Sequence, residues 1–159
     1  MAIHKLLIDE FMSIDYGLIA IHSSLEDYRL AYFLNREFGI RLEKCAADIT
    51  YNFREGESRF SRFIYEDGNE SVWNLVQNRN SVSSVQQGVS LFSAEGMDVS
   101  TNVFLLPELK KTDYLLKLEN VEDDTETEEV TEKLLAIKYI TTAYIVDHHK
   151  LKSKNNLIF

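Results

Sequence analysis

Apolar residues recur at every second position in short stretches along most of this chain, and only two segments replace that rhythm with helical spacing. Successive side chains of a strand point to opposite faces, whereas a helix returns to the same face every three or four residues. Stretches at 3–8, 16–22, 49–53, 60–65, 72–76, 103–106, 113–119 and 140–147 therefore read as strands, most of them rich in β-branched and aromatic residues. The expected fold is α+β, a mostly antiparallel sheet of about six to eight strands with two main helices.

The first helix is placed near 24–38. Ser23 and Glu26 have capping-box spacing, Leu30, Ala31, Leu34 and Phe38 form the apolar stripe, and Gly39 stands at the left-handed C′ position. The second is placed near 126–138, with Thr125 and Glu128 repeating the capping-box spacing and Val130, Leu134 and Ile137 as its buried stripe. Asn78 to Gln87 is polar and Ser/Asn-rich, which predicts a loop. Pro107, the only proline, lacks an N–H for a ladder and is assigned to a strand end, making 103–106 and 114–118 candidate antiparallel partners. The carboxyl third, strand–helix–strand, has the lengths of a ferredoxin-like or ACT-like βαβ unit, a topology that carries no function by itself.

No linker divides the 159 residues, so a single domain over 1–159 is expected. With 26 acidic against 17 basic side chains the formal charge is −9, and residues 119–132 hold eight carboxylates with no cation. That balance argues against DNA binding, which Lys and Arg drive through counterion release. The acidic segment reads as a solvated loop or helix start, with a docking surface for a basic partner as the functional alternative. The tail, 148–159, is basic and then apolar, with Lys150, Lys152 and Lys154 ahead of Leu157, Ile158 and Phe159, and these three are expected to dock on the domain or on a partner. Cys45 is alone, which fits a reducing, cytoplasmic setting. The apolar run at the amino end meets Asp9 and Glu10 too soon for a signal peptide, and no stretch is long enough to span a membrane.

Leu106-Pro107-Glu108-Leu109-Lys110-Lys111-Thr112-Asp113-Tyr114 resembles the signature of the IPExxxVDY family, small bacterial proteins of unknown function, with Leu106 for Ile and Thr112 for Val. Residues 26–32 and the closing 150–159 resemble family features too, so the likeness runs the length of the chain. It implies a fold and a bacterial, cytoplasmic setting, with no catalytic residue, cofactor or substrate. It also suggests ribonuclease III and pyruvate kinase as partners to test. Physically, the segment reads as a strand end and turn in which Glu108 and Asp113 accept backbone N–H groups across the connection. The interaction residues singled out are Pro107, Glu108, Asp113, Tyr114, Leu157, Ile158 and Phe159.

Chemistry finds little purchase. His148 and His149 adjoin Asp147, but neighbours on a strand face opposite ways, and a lone cysteine builds no thiolate zinc site. No G-x-S-x-G elbow, P-loop or G-x-G-x-x-G is present, and the glycines are scattered singly at turns. Cofactor, metal and catalytic residues are accordingly expected to be none. The leading reading is a non-enzymatic protein-interaction or accessory/regulatory protein with a protein partner. The alternatives are a small-ligand sensor with an ACT-like half and an enzyme of unknown class.

Overall fold

The structure, a computed structural model, describes residues 16–86 and 97–159; the strand expected at 3–8 lies outside them. In chain order the elements are β1 (Tyr16–His22), α1 (Asp27–Phe38), β2 (Glu43–Lys44), β3 (Ile49–Phe53), β4 (Gly56–Phe60), β5 (Arg62–Glu66) and β6 (Val72–Gln77). There follow β7 (Arg79–Gln86), β8 (Met97–Phe104), β9 (Tyr114–Glu119), α2 (Asp124–Ala136) and β10 (Thr142–Ile145), with 3-10 turns at Pro107–Leu109, His148–Lys150 and Lys154–Leu157. The fold is α+β. Six strands form one antiparallel sheet in the order β10-β1-β9-β6-β5-β2, while β3–β4 and β7–β8 form two separate two-stranded ribbons.

The pleat decides what each face carries. On one side Ile19, Ile21, Phe63, Trp73, Leu75, Leu116 and Leu118 meet Leu30 and Leu34 of α1 and Val130 and Leu134 of α2. On the other, Leu18, Val76 and Leu115 meet Phe60, Val82 and Val103 of the ribbons together with Leu151 and Leu157 of the tail. Both faces are covered, so β9 reads as a continuous apolar run instead of an alternation. Because β1 is antiparallel to both β9 and β10, those two are mutually parallel, and β9–α2–β10 is a split βαβ unit with β1 between its strands.

Several boundaries differ from the sequence expectation. The first helix begins at Asp27, not 24: Ser23 is committed elsewhere, its hydroxyl donating to the Tyr139 carbonyl (2.8 Å) and accepting the Leu25 N–H (3.2 Å). Its end agrees, with Gly39 at φ 64° donating to the Asn35 carbonyl. The second helix spans Asp124–Ala136, not 126–138, because Asp123 is the N-cap, its carboxylate accepting from the N–H groups of Thr125 and Glu126. The run 60–65 is broken at Ser61, where the chain passes from a ribbon into the main sheet.

Two pairings are corrected outright. The predicted loop 78–87 is instead strand β7 over Arg79–Gln86, paired with β8 along its length. Its serines obscure the alternation that leaves Val82 buried between exposed Ser81 and Ser83. Residues 103–106 do not pair with 114–118. β8 belongs to the ribbon, while β9 lies between β1 and β6. Among the described residues no helix is long and apolar enough to cross a membrane.

Candidate functional site

Asn78 is the single residue between β6 and β7, where the chain leaves the main sheet, and it is fully buried. Its side-chain amide donates to the carbonyls of Leu109 (3.0 Å) and Thr112 (2.9 Å) and accepts the Leu106 N–H (2.9 Å). Its main chain donates to the Asp113 carbonyl and accepts the Leu105 N–H. One residue thus ties down the whole corner that carries the Leu106–Tyr114 signature.

The signature side chains then point two ways. Toward the tail, Glu108 accepts the Ser153 N–H (2.9 Å) and the Ser153 hydroxyl, and nearby the Asn156 amide donates to the Leu105 carbonyl (2.8 Å). Toward α1, Asp113 accepts the Ser23 N–H (3.0 Å) with one oxygen and pairs with the Arg79 guanidinium (2.8 Å) with the other. The Tyr114 hydroxyl donates to the Leu25 carbonyl (2.6 Å). Burial, and then the carboxylates of Asp27, Asp113 and Glu26, push the Tyr114 phenol well above its ordinary value, so it stays a neutral donor. The expectation that Glu108 and Asp113 bridge their own connection is corrected. That backbone is already served by Asn78 and by the short-range bonds Leu109 N–H to Leu106 and Thr112 N–H to Leu109.

Desolvation pushes the Glu108 carboxyl up, but hydrogen bonds from the Ser153 hydroxyl and from the backbone of Glu108, Ser153 and Lys152 outweigh it and hold it below its ordinary value. A carboxyl lowered in the folded state adds stability that is complete above the unfolded pKa and is lost as pH falls through the folded one. The clamp should therefore open as pH drops below 4.5, the ordinary carboxyl value. The expected result is acid-dependent proteolysis within 150–157 in the wild type. Glu108→Gln is expected to be cut more readily at neutral pH and to show no such acid step.

Beneath the tail the sheet is charged. Lys117, with its side chain only 11% exposed, pairs with Glu119 (2.7 Å), donates to the Leu157 carbonyl (3.0 Å) and lies over the rings of Tyr16 (4.8 Å) and Phe159 (5.1 Å). Cross-strand from it, Asn74 accepts from Arg62 Nε (2.9 Å), and the Arg62 guanidinium lies 4.6 Å from the Phe159 ring. The amide nitrogen of Asn74 and the hydroxyls of Ser58 and Ser61 are buried without a hydrogen-bond partner. Of the three apolar residues expected to dock, Leu157 is buried, Phe159 sits against the two cations, and Ile158 points outward at 78% exposure.

No family model, curated protein or solved structure matches the chain.

The geometry also sets out an aromatic surface on the helical face. Tyr28 and Tyr32, one turn apart on α1, are 60% and 59% exposed, the Phe33 ring lies 5.4 Å from Tyr32 and 4.7 Å from Tyr139, and the Lys138 ammonium lies 5.7 Å from the Tyr139 ring. A shallow cleft of about 230 Å³ between Phe33, Arg36, Ile137 and Tyr139 continues this surface. A second, polar cavity of about 130 Å³ lies beside Arg79 and Asp113. Both fall below the roughly 300 Å³ at which small-ligand pockets begin. His148 and His149 are on a 3-10 turn, not a strand, with His148 stacked on Tyr16 at 3.9 Å. Among the described residues no group of three or more His, Cys, Asp or Glu side chains is placed to hold a metal.

Sequence reasoning passed over Asn78, Asn74, Arg62 and Lys117. The signal for Lys117 was legible: a lone cation within Leu115-Leu116-Lys117-Leu118 occupies an inward position of a strand buried on both faces. Tyr28 and Tyr32 fall within the 26–32 resemblance, but their exposure follows only from the helix's seating.

Proposed function

We propose that this is a non-catalytic, cytoplasmic interaction or accessory protein, akin to the IPExxxVDY proteins, that docks a protein partner on the exposed aromatic face of α1. The carrying observation is that Tyr28, Tyr32 and Tyr139 are held out to solvent, with Phe33 bridging Tyr32 and Tyr139 and Arg36 lining the adjoining cleft. Tyrosine and arginine dominate interface hot spots, since they bring large contact area and hydrogen bonding at small entropic cost. Support also comes from the signature residues, whose polar groups are spent on tying the tail and α1 to one corner, leaving shape as their product. The single thiol, Cys45, suits a reducing compartment.

The test is affinity purification from native lysate with the wild type and with Tyr28→Ser/Tyr32→Ser. A stoichiometric partner is expected with the wild type, retained about tenfold less by the double variant, whose melting temperature should hardly move because both side chains are exposed. Purified ribonuclease III and pyruvate kinase are the first direct binding assays. Equal retention by the variant removes α1 as the docking face, and a bare monomer removes the interaction reading.

A further inference from the structure

We propose that the sheet face beneath residues 147–159 is a peptide-binding site, occupied in cis by the chain's own tail, whose external ligand is a short peptide segment carrying an aromatic residue beside a side-chain carboxylate. It lies on the opposite side of the sheet from α1 and stands independently of the docking face proposed there.

The tail itself displays the recognition chemistry. The Phe159 ring rests against the Arg62 guanidinium (4.6 Å) and the Lys117 ammonium (5.1 Å), a cationic seat for an aromatic side chain. Two residues earlier, the Leu157 carbonyl takes a hydrogen bond from Lys117, which sets the register of a main chain crossing the sheet. Leu157 is buried in the apolar cluster that includes Leu18 and Leu115. An aromatic, a backbone acceptor and an aliphatic anchor spaced in this way describe a peptide subsite.

The tail fits that seat imperfectly, and the misfit identifies the better ligand. Lys117 has Glu119, but no carboxylate pairs with Arg62 among the described residues. Over this face lies a segment whose charged side chains after Asp147 are all basic, Lys150, Lys152 and Lys154 among them. The Asn74 amide nitrogen, in a residue with no exposed surface, has no acceptor, while its oxygen is held by Arg62. Burying an amide donor without an acceptor is unfavourable. A side-chain carboxylate next to the aromatic residue answers both the guanidinium, which has no carboxylate partner among the described residues, and the unused amide. The tail's own hold is partial, with Phe159 38% exposed and Ile158 projecting outward, so it behaves as a displaceable strap.

The probe is a fluorescent, carboxyl-amidated peptide, Asn-Asn-Leu-Ile-Phe-Asp, read by anisotropy against the full chain. Phe159→Ala removes the competing ring while Leu157 keeps the tail anchored, and it is expected to bind the probe about tenfold tighter than the wild type does, since a tethered competitor acts at high effective concentration. Adding Arg62→Ala, or replacing the probe's Phe with Ala, should return affinity to the wild-type level or below. The probe with Asn for Asp asks the same of the charge without altering the protein, and should bind several-fold more weakly, by a factor that shrinks with salt. Equal binding by wild type and Phe159→Ala, or indifference to the probe's Phe and Asp, overturns the proposal. So does a wild type that is dimeric and becomes monomeric in Phe159→Ala, which would assign the seat to a second copy's tail.

Discussion

Replacing Asn78 with alanine is expected to lower the unfolding free energy by about 3–5 kcal/mol. The side chain makes three hydrogen bonds at 2.9–3.0 Å inside a site with no solvent access. Alanine leaves the Thr112 carbonyl and the Leu106 N–H without those partners, while the Leu109 carbonyl keeps the Thr112 N–H, and each orphaned buried group costs about 1–3 kcal/mol. A domain of this size has only about 5–15 kcal/mol in hand, so the variant should unfold at markedly lower urea with an unchanged slope. The damage should also spread. Glu108 and Leu105, which hold Ser153 and Asn156, are on the segment that Asn78 fixes, so tail proteolysis in native buffer should rise with it. A loss below about 1 kcal/mol would mean that water enters and replaces the amide, and that the corner is held by its backbone alone.

Periodicity was enough to read most of the main sheet. β1 and β6 could be read from spacing because their apolar residues are regular and both faces are filled, and Gly39 marked the end of α1 because a left-handed residue is needed there. The ribbon β7 could not. It is a two-stranded element with serine at its exposed positions, and its pairing with β8 depends on a contact far along the chain. Capping was misread twice for one reason. A Ser or Thr three residues ahead of a Glu satisfies the local pattern, but the Ser23 hydroxyl has a better use on the Tyr139 carbonyl, 116 residues away, and Asp123 outcompetes Thr125 as a cap. The candidate sites follow the same logic. Glu108 and Asp113 were recognisable as acceptors, whereas their donors, Ser153 and Ser23, are set by how the tail and α1 return to the corner. That return puts the exposed tyrosines of α1 on one side of the sheet and the tail, with Arg62 and Lys117 against Phe159, on the other.

Substituting alanine at Gly17 is expected to destabilise the fold by about 2–3 kcal/mol, and the loss should be largely recovered by a second substitution, Thr127→Ala. Gly17 is on β1 facing α2, and its backbone lies outside the left-handed region, so conformation does not demand glycine there. Space does. A methyl group would lie 2.3 Å from Thr127 Oγ1 and 2.9 Å from its Cγ2. Rotating the threonine exchanges one γ atom for the other, and the residue is 97% buried against the sheet, so the remaining relief is to push α2 outward. Alanine also restricts the unfolded chain, which favours folding by about 0.4–1 kcal/mol, too little to offset the overlap. Thr127→Ala alone should cost about 1 kcal/mol for the small void it opens, and in the double variant the two methyl groups share the space that the threonine held. Urea unfolding of the four proteins closes the cycle: a coupling near zero would mean that α2 is free to shift on β1, and that the acidic amino end of this helix is not seated by the glycine.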